Sequence, residues 1–377
     1  MLSNVEVPPE LFLPELFLPQ LTMPVSAEPV SIEEVRNGFA IDEFSYEYNG
    51  ETKTLDQFMS EAGVRSFLIL KDGKIVFEHN EFPYTRWYQH QSWSISKQVL
   101  SAVIGIAIGE GAIGSADDPM DQYDSRLAVN GFAGVSFRQA LQMSSGILYD
   151  EIPDREQLFM DVFADNMGFG LTEGATLLEK TLAPELIRDY EPDSRWQYAS
   201  INSQALLLAL SAAVNRPYHE YLYEKLLNPL GVTSETRILV DGDYNQFGFC
   251  CLYATSRTYA AIGQLYLNNG SYNGQQIVPA EWVRLSSSFD DPTSWTPEEG
   301  VRNEGVDDVP PFGFAYHWWP LTGDRGDFTA LGVYGQSVHV LPEQNTVIVR
   351  LSGDFDAPEA HRVEGVALGR AIADFMD

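Results

Sequence analysis

The pattern of apolar and polar positions divides the chain into three parts. Residues 64–70 (Val-Arg-Ser-Phe-Leu-Ile-Leu) and 75–79 (Ile-Val-Phe-Glu-His) flank a Lys-Asp-Gly-Lys turn at 71–74. Asp-Gly supplies the positive φ of a tight turn, so a β-hairpin is expected. Residues 94–110 are apolar on most sides of a helical period, which predicts a buried helix, stopped by Gly109, Gly111 and Gly114. From 116 to 230 strand signals vanish and helices are expected at 136–143, 155–163, 176–188, 202–214 and 217–227. Strand-like pieces return at 247–253, 312–319, 328–341 and 346–352, the last two joined by Pro-Glu-Gln-Asn, and an amphipathic helix spans 358–376. This order fits an antiparallel sheet assembled from both chain ends with a helical insert between them, an α/β (α+β) architecture. The expected division is an N-terminal lead-in over 1–60, an α/β sandwich from 61–115 and 231–377, and a helical unit over 116–230. No solenoid-type repeat is present.

Composition narrows the function. With 377 residues and 44% hydrophobic content the chain has ample core material, which excludes a disordered protein. Its net charge of −31 would repel a phosphate backbone, so nucleic acid is excluded as a partner. Only six lysines stand among 54 carboxylates, read as surface solvation of a kind suited to a saline habitat. Cys250 and Cys251 are adjacent, a spacing too strained for an ordinary structural disulfide and too few for a thiolate metal site. The N-terminus repeats Glu-Leu-Phe-Leu-Pro at 10–14 and 15–19 without a Lys or Arg before Arg36, which reads as a Pro-rich arm packed on the body and not as a signal peptide or membrane span. A cytoplasmic location is expected, with a periplasmic or secreted one as the alternative.

Three short elements carry candidate chemistry. Ser94-Ile-Ser-Lys97 opens the buried helix, and its three-residue spacing puts hydroxyl and amine on one face, one turn apart. A lysine beside a serine can accept its proton, while the helix N-terminus favours developing negative charge. Tyr198-Ala-Ser200 precedes an apolar helix and could aim a phenol at the same point. Gly332-Val-Tyr-Gly-Gln336 enters a strand, where the Gln336 amide together with that of Ser94 could bind an oxyanion. Trp318, Trp319 and Tyr334 are candidates to line an acyl pocket.

The order and spacing of these elements from about residue 60 onward resemble the penicillin-recognising serine hydrolases, the superfamily of class C β-lactamases and DD-peptidases. Leu-Gln-Met-Ser-Ser-Gly-Ile (141–147), the run 253–267, Gly-Gln-Gln-Ile-Val-Pro (274–279) with Trp282, and Phe-Gly-Phe-Ala-Tyr-His-Trp-Trp (312–319) are most similar to the branch of 6-aminohexanoate-oligomer hydrolases and family VIII carboxylesterases. The resemblance implies a β-lactamase-like sheet flanked by helices, with Ser94 as acylated nucleophile, Lys97 as its proton acceptor and Tyr198 as proton shuttle. Ser200 stands where Asn is usual, and Val333-Tyr334-Gly335 where Lys-Thr-Gly or His-Thr-Gly is usual. A valine cannot form a charge-assisted hydrogen bond to a substrate carboxylate, so a neutral ester or simple linear amide is expected ahead of a β-lactam or D-alanyl peptide. No cofactor is implied. A non-catalytic ligand-binding module of the same fold is the rival from another class.

Other patterns are set aside. Gly109-Glu-Gly-Ala-Ile-Gly114 follows a helix where a dinucleotide fingerprint must follow a strand. The histidines (79, 90, 219, 317, 339 and 361) lack metal-ligand spacing, so no metal site is expected; a Ser-His-Asp arrangement through His339 is disfavoured because Lys97 already serves Ser94. No Gly-x-Ser-x-Gly elbow occurs.

Overall fold

Val64–Lys71 and Lys74–Asn80 form the expected hairpin, and both turn residues, Asp72 and Gly73, take positive φ (52° and 74°), the mirror-image turn whose twist matches the strands. The computed structural model describes residues 18–166, 176–296, 312–354 and 358–377. The hairpin is one edge of a six-stranded antiparallel sheet that continues through Thr346–Ser352, Gln336–Leu341, Phe328–Gly332 and Trp319–Pro320. Both chain ends therefore build this sheet, as the sequence pattern implies.

Strand alternation explains how both faces are covered. Leu68, Leu70, Val338, Val340, Val347 and Val349 point into the larger core, against the helices Ile95–Gly109 and Ser256–Leu267. Phe67, Ile69 and Ile348 point the other way, onto Leu55–Glu61 and the C-terminal helix Pro358–Phe375. Burying each such side chain is worth roughly 1.5–3 kcal/mol. The helix Ser256–Leu267 approaches the sheet so closely that a Cβ at Gly263 would lie 2.6 Å from Val347 Cγ1 and 2.8 Å from Val338 Cγ1.

Between the sheet-forming segments lie Phe137–Leu141, Glu151–Asn166, Leu177–Thr181, Ser200–Val214 and Tyr218–Leu222, the last running on through Tyr223–Leu227 as a π turn. The helix expected over 176–188 stops at Thr181, because Pro184 follows closely and disfavours helical backbone before it. The piece at 312–319 is mostly not strand: Tyr316 and His317 have positive φ (43° and 75°) and fold back, leaving only Trp319–Pro320 in the ladder. The piece at 328–341 is two strands with a turn at 333–335. Thr236–Leu239 is a strand that the pattern did not announce; it joins a second sheet ordered Gln20–Met23, Thr236–Leu239, Leu252–Ala254 and His90–Gln91. Of the expected N-terminal arm, residues 1–17 lie outside the described residues, and Gln20–Met23 packs on the body as the edge of that second sheet.

The cysteine expectation is corrected. Cys250 and Cys251 are joined as a disulfide with their Cα atoms 3.7 Å apart, and Cys251 adopts a φ of 73°. The bond is a local ring within a buried turn, where a structural staple would tie distant segments together.

Candidate active site

Ser94 is the residue at which the chain turns into the helix Ile95–Gly109; its hydroxyl forms no capping bond there. Thirteen of the helix's fifteen residues are buried, from Ile95 to Ala107, so the helix carries Lys97 into the interior, 1% exposed. Lys97 Nζ lies 2.9 Å from Ser94 Oγ and donates to the Phe249 carbonyl at 3.0 Å. In a chain with 54 acidic residues, Lys97 forms no ion pair with a carboxylate among the described residues. His317 lies close enough to feel this amine: burial first, and then the Lys97 charge, hold its imidazole well below the usual histidine range, and Ser203 Oγ meets its Nε2 at 3.1 Å.

Tyr198 comes from the segment before the helix Ser200–Val214. Its ring stacks on Trp319 (centroids 6.0 Å apart, 24° between planes) and meets Phe314 edge-on, and Lys97 Nζ sits 4.9 Å from its centroid. Its hydroxyl has no hydrogen-bond partner among the described residues. Ser94, Lys97 and Tyr198, set at two helix starts, thus lie together, with the amine facing the phenol ring and bonded to the serine.

The third element abuts the same point. A Cβ at Gly332 would lie 2.6 Å from the Ser92 carbonyl, and the Trp93 and Tyr334 rings meet edge-on at 5.1 Å. The Val333-Tyr334-Gly335 turn, with φ of 61° at Tyr334 and 82° at Gly335, is held by the Gln336 side chain, which donates to the Tyr334 and Ser352 carbonyls at 2.9 Å each. Behind it, Arg350 Nε donates to the Gly335 carbonyl at 3.0 Å, and complete burial pushes that guanidinium down to about 10. Burial also pushes the Tyr334 phenol up.

Two other candidates sit differently. Ser200 is buried and its hydroxyl donates to Glu151 at 2.6 Å, with its amide on the same carboxylate at 2.7 Å, so it anchors a helix start and does not face open space. Trp318 is fully buried against Tyr266 (4.3 Å) and Phe328 (5.3 Å) in the large core, away from Tyr198. Neighbouring strand residues point to opposite faces, so Trp319 reaches the site and Trp318 does not. Sequence reasoning missed Glu151, whose carboxylate serves the start of the Tyr198-bearing helix, and the Phe249 carbonyl, a backbone group without any side-chain signal.

His339 does meet a carboxylate, Asp327 at 3.2 Å, but on the sheet face covered by the C-terminal helix, where a Cβ at Gly369 would lie 2.4 Å from its Nδ1, so this pair does not serve Ser94. Among the described residues, Glu61, His361 and Glu364 have metal-ligand spacing, and the Lys53 ammonium already bridges the two carboxylates at 2.6 and 2.5 Å. No helix among the described residues is long and apolar enough to cross a membrane.

Comparison with known proteins gives the fold and the family. The 6-aminohexanoate-dimer hydrolase of Paenarthrobacter ureafaciens is 25% identical over 310 residues, covering 81% of this chain and 77% of its own. A Bacillus anthracis structure provisionally described as a 6-aminohexanoate-dimer hydrolase superposes with a TM-score of 0.81 at 19% identity, over 96% of this chain and 92% of its own. A family VIII carboxylesterase superposes with a TM-score of 0.62 at 14% identity, over 85% and 96%. The Beta-lactamase family profile matches residues 52–371, so the Ser94, Tyr198 and Gln336 elements all fall within one match, and the chain belongs to the Beta-lactamase family of serine hydrolases.

Proposed function

We propose that the chain hydrolyses neutral esters or simple linear amides through an acyl-enzyme on Ser94. The observation that carries this reading is the 2.9 Å contact between Ser94 Oγ and Lys97 Nζ on a buried helix start. The same contact gives the Oγ proton a path to Nζ as Oγ attacks the carbonyl carbon. The carbonyl oxygen becomes the oxyanion, received by the Ser94 and Gln336 amides. Tyr198 passes the proton on to the leaving alcohol or amine. Water then attacks the acyl carbon, the same groups return a proton to Oγ, and the carboxylic acid leaves. The site sits where the sheet-forming segments 61–115 and 231–377 meet the helical segment 116–230.

Several features support the substrate class. Val333 leaves the third element without a cation for a substrate carboxylate, Glu151 lies near the site, and the net charge of −31 disfavours anions in general. Aromatic rings of Trp93, Tyr334, Trp319 and Tyr198 offer apolar surface to an acyl chain. The relative from P. ureafaciens, named for a linear amide, and the carboxylesterase neighbour favour the same range.

The test is intact mass after treatment with a fluorophosphonate, with turnover of a short-chain nitrophenyl ester, a linear amide and a chromogenic cephalosporin. One adduct on the wild type, none on Ser94→Ala, and ester or amide turnover without cephalosporin turnover is the expected result. An unlabelled wild type, or full turnover by Ser94→Ala, refutes it; preferred cephalosporin turnover shifts the substrate class to β-lactams.

A further inference from the structure

The segment Phe249-Cys250-Cys251-Leu252 bonds to three residues of the Ser94 turn. The Phe249 carbonyl accepts from Lys97 Nζ at 3.0 Å. The Leu252 amide donates to Ser96 Oγ at 3.3 Å, and the Leu252 carbonyl accepts from the Ser92 amide at 2.8 Å. Between these two contact points stand the only two cysteines of the chain, 3% and 0% exposed and joined to each other. Gln91, four residues before Lys97's helix, points its Nε2 at Cys251 Sγ at 3.8 Å.

This placement has a mechanical meaning. A bond between adjacent cysteines closes a ring that contains their own peptide unit, so it restrains ψ of Cys250 and φ of Cys251, two of the four rotatable backbone dihedrals between the carbonyl on Lys97 and the amide on Ser96. Cys251 is held at φ 73°, where a residue with a side chain is disfavoured. Opening the ring frees those dihedrals, and the nearest relaxation, a return of Cys251 to negative φ, rotates the adjoining peptide units. Phe249 O is the one hydrogen-bond partner of Lys97 Nζ besides Ser94 Oγ among the described residues, so the amine would lose its anchor away from the nucleophile.

We propose that the Cys250–Cys251 pair is a redox-sensitive positioning element for Lys97: joined, it holds the Phe249 carbonyl against Nζ; opened by a dithiol, it releases that carbonyl and slows acylation of Ser94. The inference rests on the Ser94 acyl-enzyme reading. In the redox step the S–S bond breaks, the two sulfurs together take up two electrons and two protons, and the dithiol reductant gives up those two electrons and two protons as it closes to its own disulfide. Reoxidation by an added disulfide runs the same exchange backwards.

The experiment uses the full chain oxidised with excess oxidised glutathione, reduced with dithiothreitol, and reoxidised. Alkylation with iodoacetamide under denaturing conditions and intact mass count the thiols, without interference because the chain holds no other cysteine. Single-turnover acylation and steady-state kinetics with a nitrophenyl ester give the rate. The expected result is no alkylation when oxidised and two adducts when reduced, with acylation and kcat falling about tenfold on reduction, KM within about twofold, and full recovery on reoxidation. Cys250→Ser/Cys251→Ser should match the reduced rate and ignore the reductant. If that variant does not fold, the wild-type cycle decides alone. Equal acylation rates with zero and two free thiols overturn the proposal, as do two free thiols after oxidation, or a rate that falls only in proportion to lost folded protein by circular dichroism. If the oxidised protein gains no fluorophosphonate adduct, the acyl-enzyme reading itself has failed and takes this inference with it.

Discussion

His90, on the short strand just before Ser94, offers a quantitative check on the packing around the site. It is 4% exposed, packs against the rings of Tyr84 and Tyr88 at 5.5 and 4.9 Å, and its Nε2 has no partner. Burial, with a smaller contribution from the Arg65 charge, pushes its imidazole down to about 3. In the unfolded chain the ordinary value is about 6.5, so the folded state excludes the proton that the unfolded state accepts. This contribution to stability is fully present above pH 6.5 and is lost as pH falls from there towards 3. At pH 5 the gap is about 1.5 pH units, which at 1.36 kcal/mol per unit amounts to about 2 kcal/mol lost relative to pH 7. The perturbation is His90→Phe, which keeps a ring against the two tyrosines and removes the titrating nitrogens. Urea unfolding of both proteins at pH 7 and pH 5 gives the comparison. His317 and His219, also held below their ordinary values, act alike in both proteins and cancel. The wild type should lose about 2 kcal/mol more than the variant between the two pH values. Parallel losses would refute the reasoning, since they would mean that the folded protein accommodates the imidazolium.

Two further outcomes follow from contacts described above. Gly263→Ala should destabilise by about 1–3 kcal/mol despite alanine's better helix propensity, because the new methyl group meets Val347 and Val338; the urea midpoint reads this, and a stabilised variant would contradict the packing. Glu151→Ala removes the acceptor of both the Ser200 amide and hydroxyl, so stability should fall by about 2 kcal/mol and ester kcat should drop with it as the Tyr198 segment loosens, with Glu151→Gln recovering part of both.

Much of this was legible because it is local. The hairpin at 64–80 and the buried helix after Ser94 are written in neighbouring residues, and one helical turn suffices to bring Lys97 to Ser94. Tyr198 was legible through the order of motifs, which ties it to a family pattern. What escaped depends on chain crossings that periodicity does not encode. Phe249 lies 152 positions from Lys97 and acts through its carbonyl, and Glu151 lies 49 positions from the serine it serves. The strand Thr236–Leu239 is only four residues long and takes its place from partners at 20–23 and 252–254. Trp318 and Trp319 share one candidate role in the sequence, although alternation along a strand sends only Trp319 to Tyr198.

The burial of Lys97 also governs how the protein can be handled. The other five lysines, Lys53, Lys71, Lys74, Lys180 and Lys225, all have acidic partners nearer the surface. Reagents that couple to amines, whether dyes or activated resins, therefore meet a sparse set of attachment points, and the amine beside the nucleophile is screened from them by its burial.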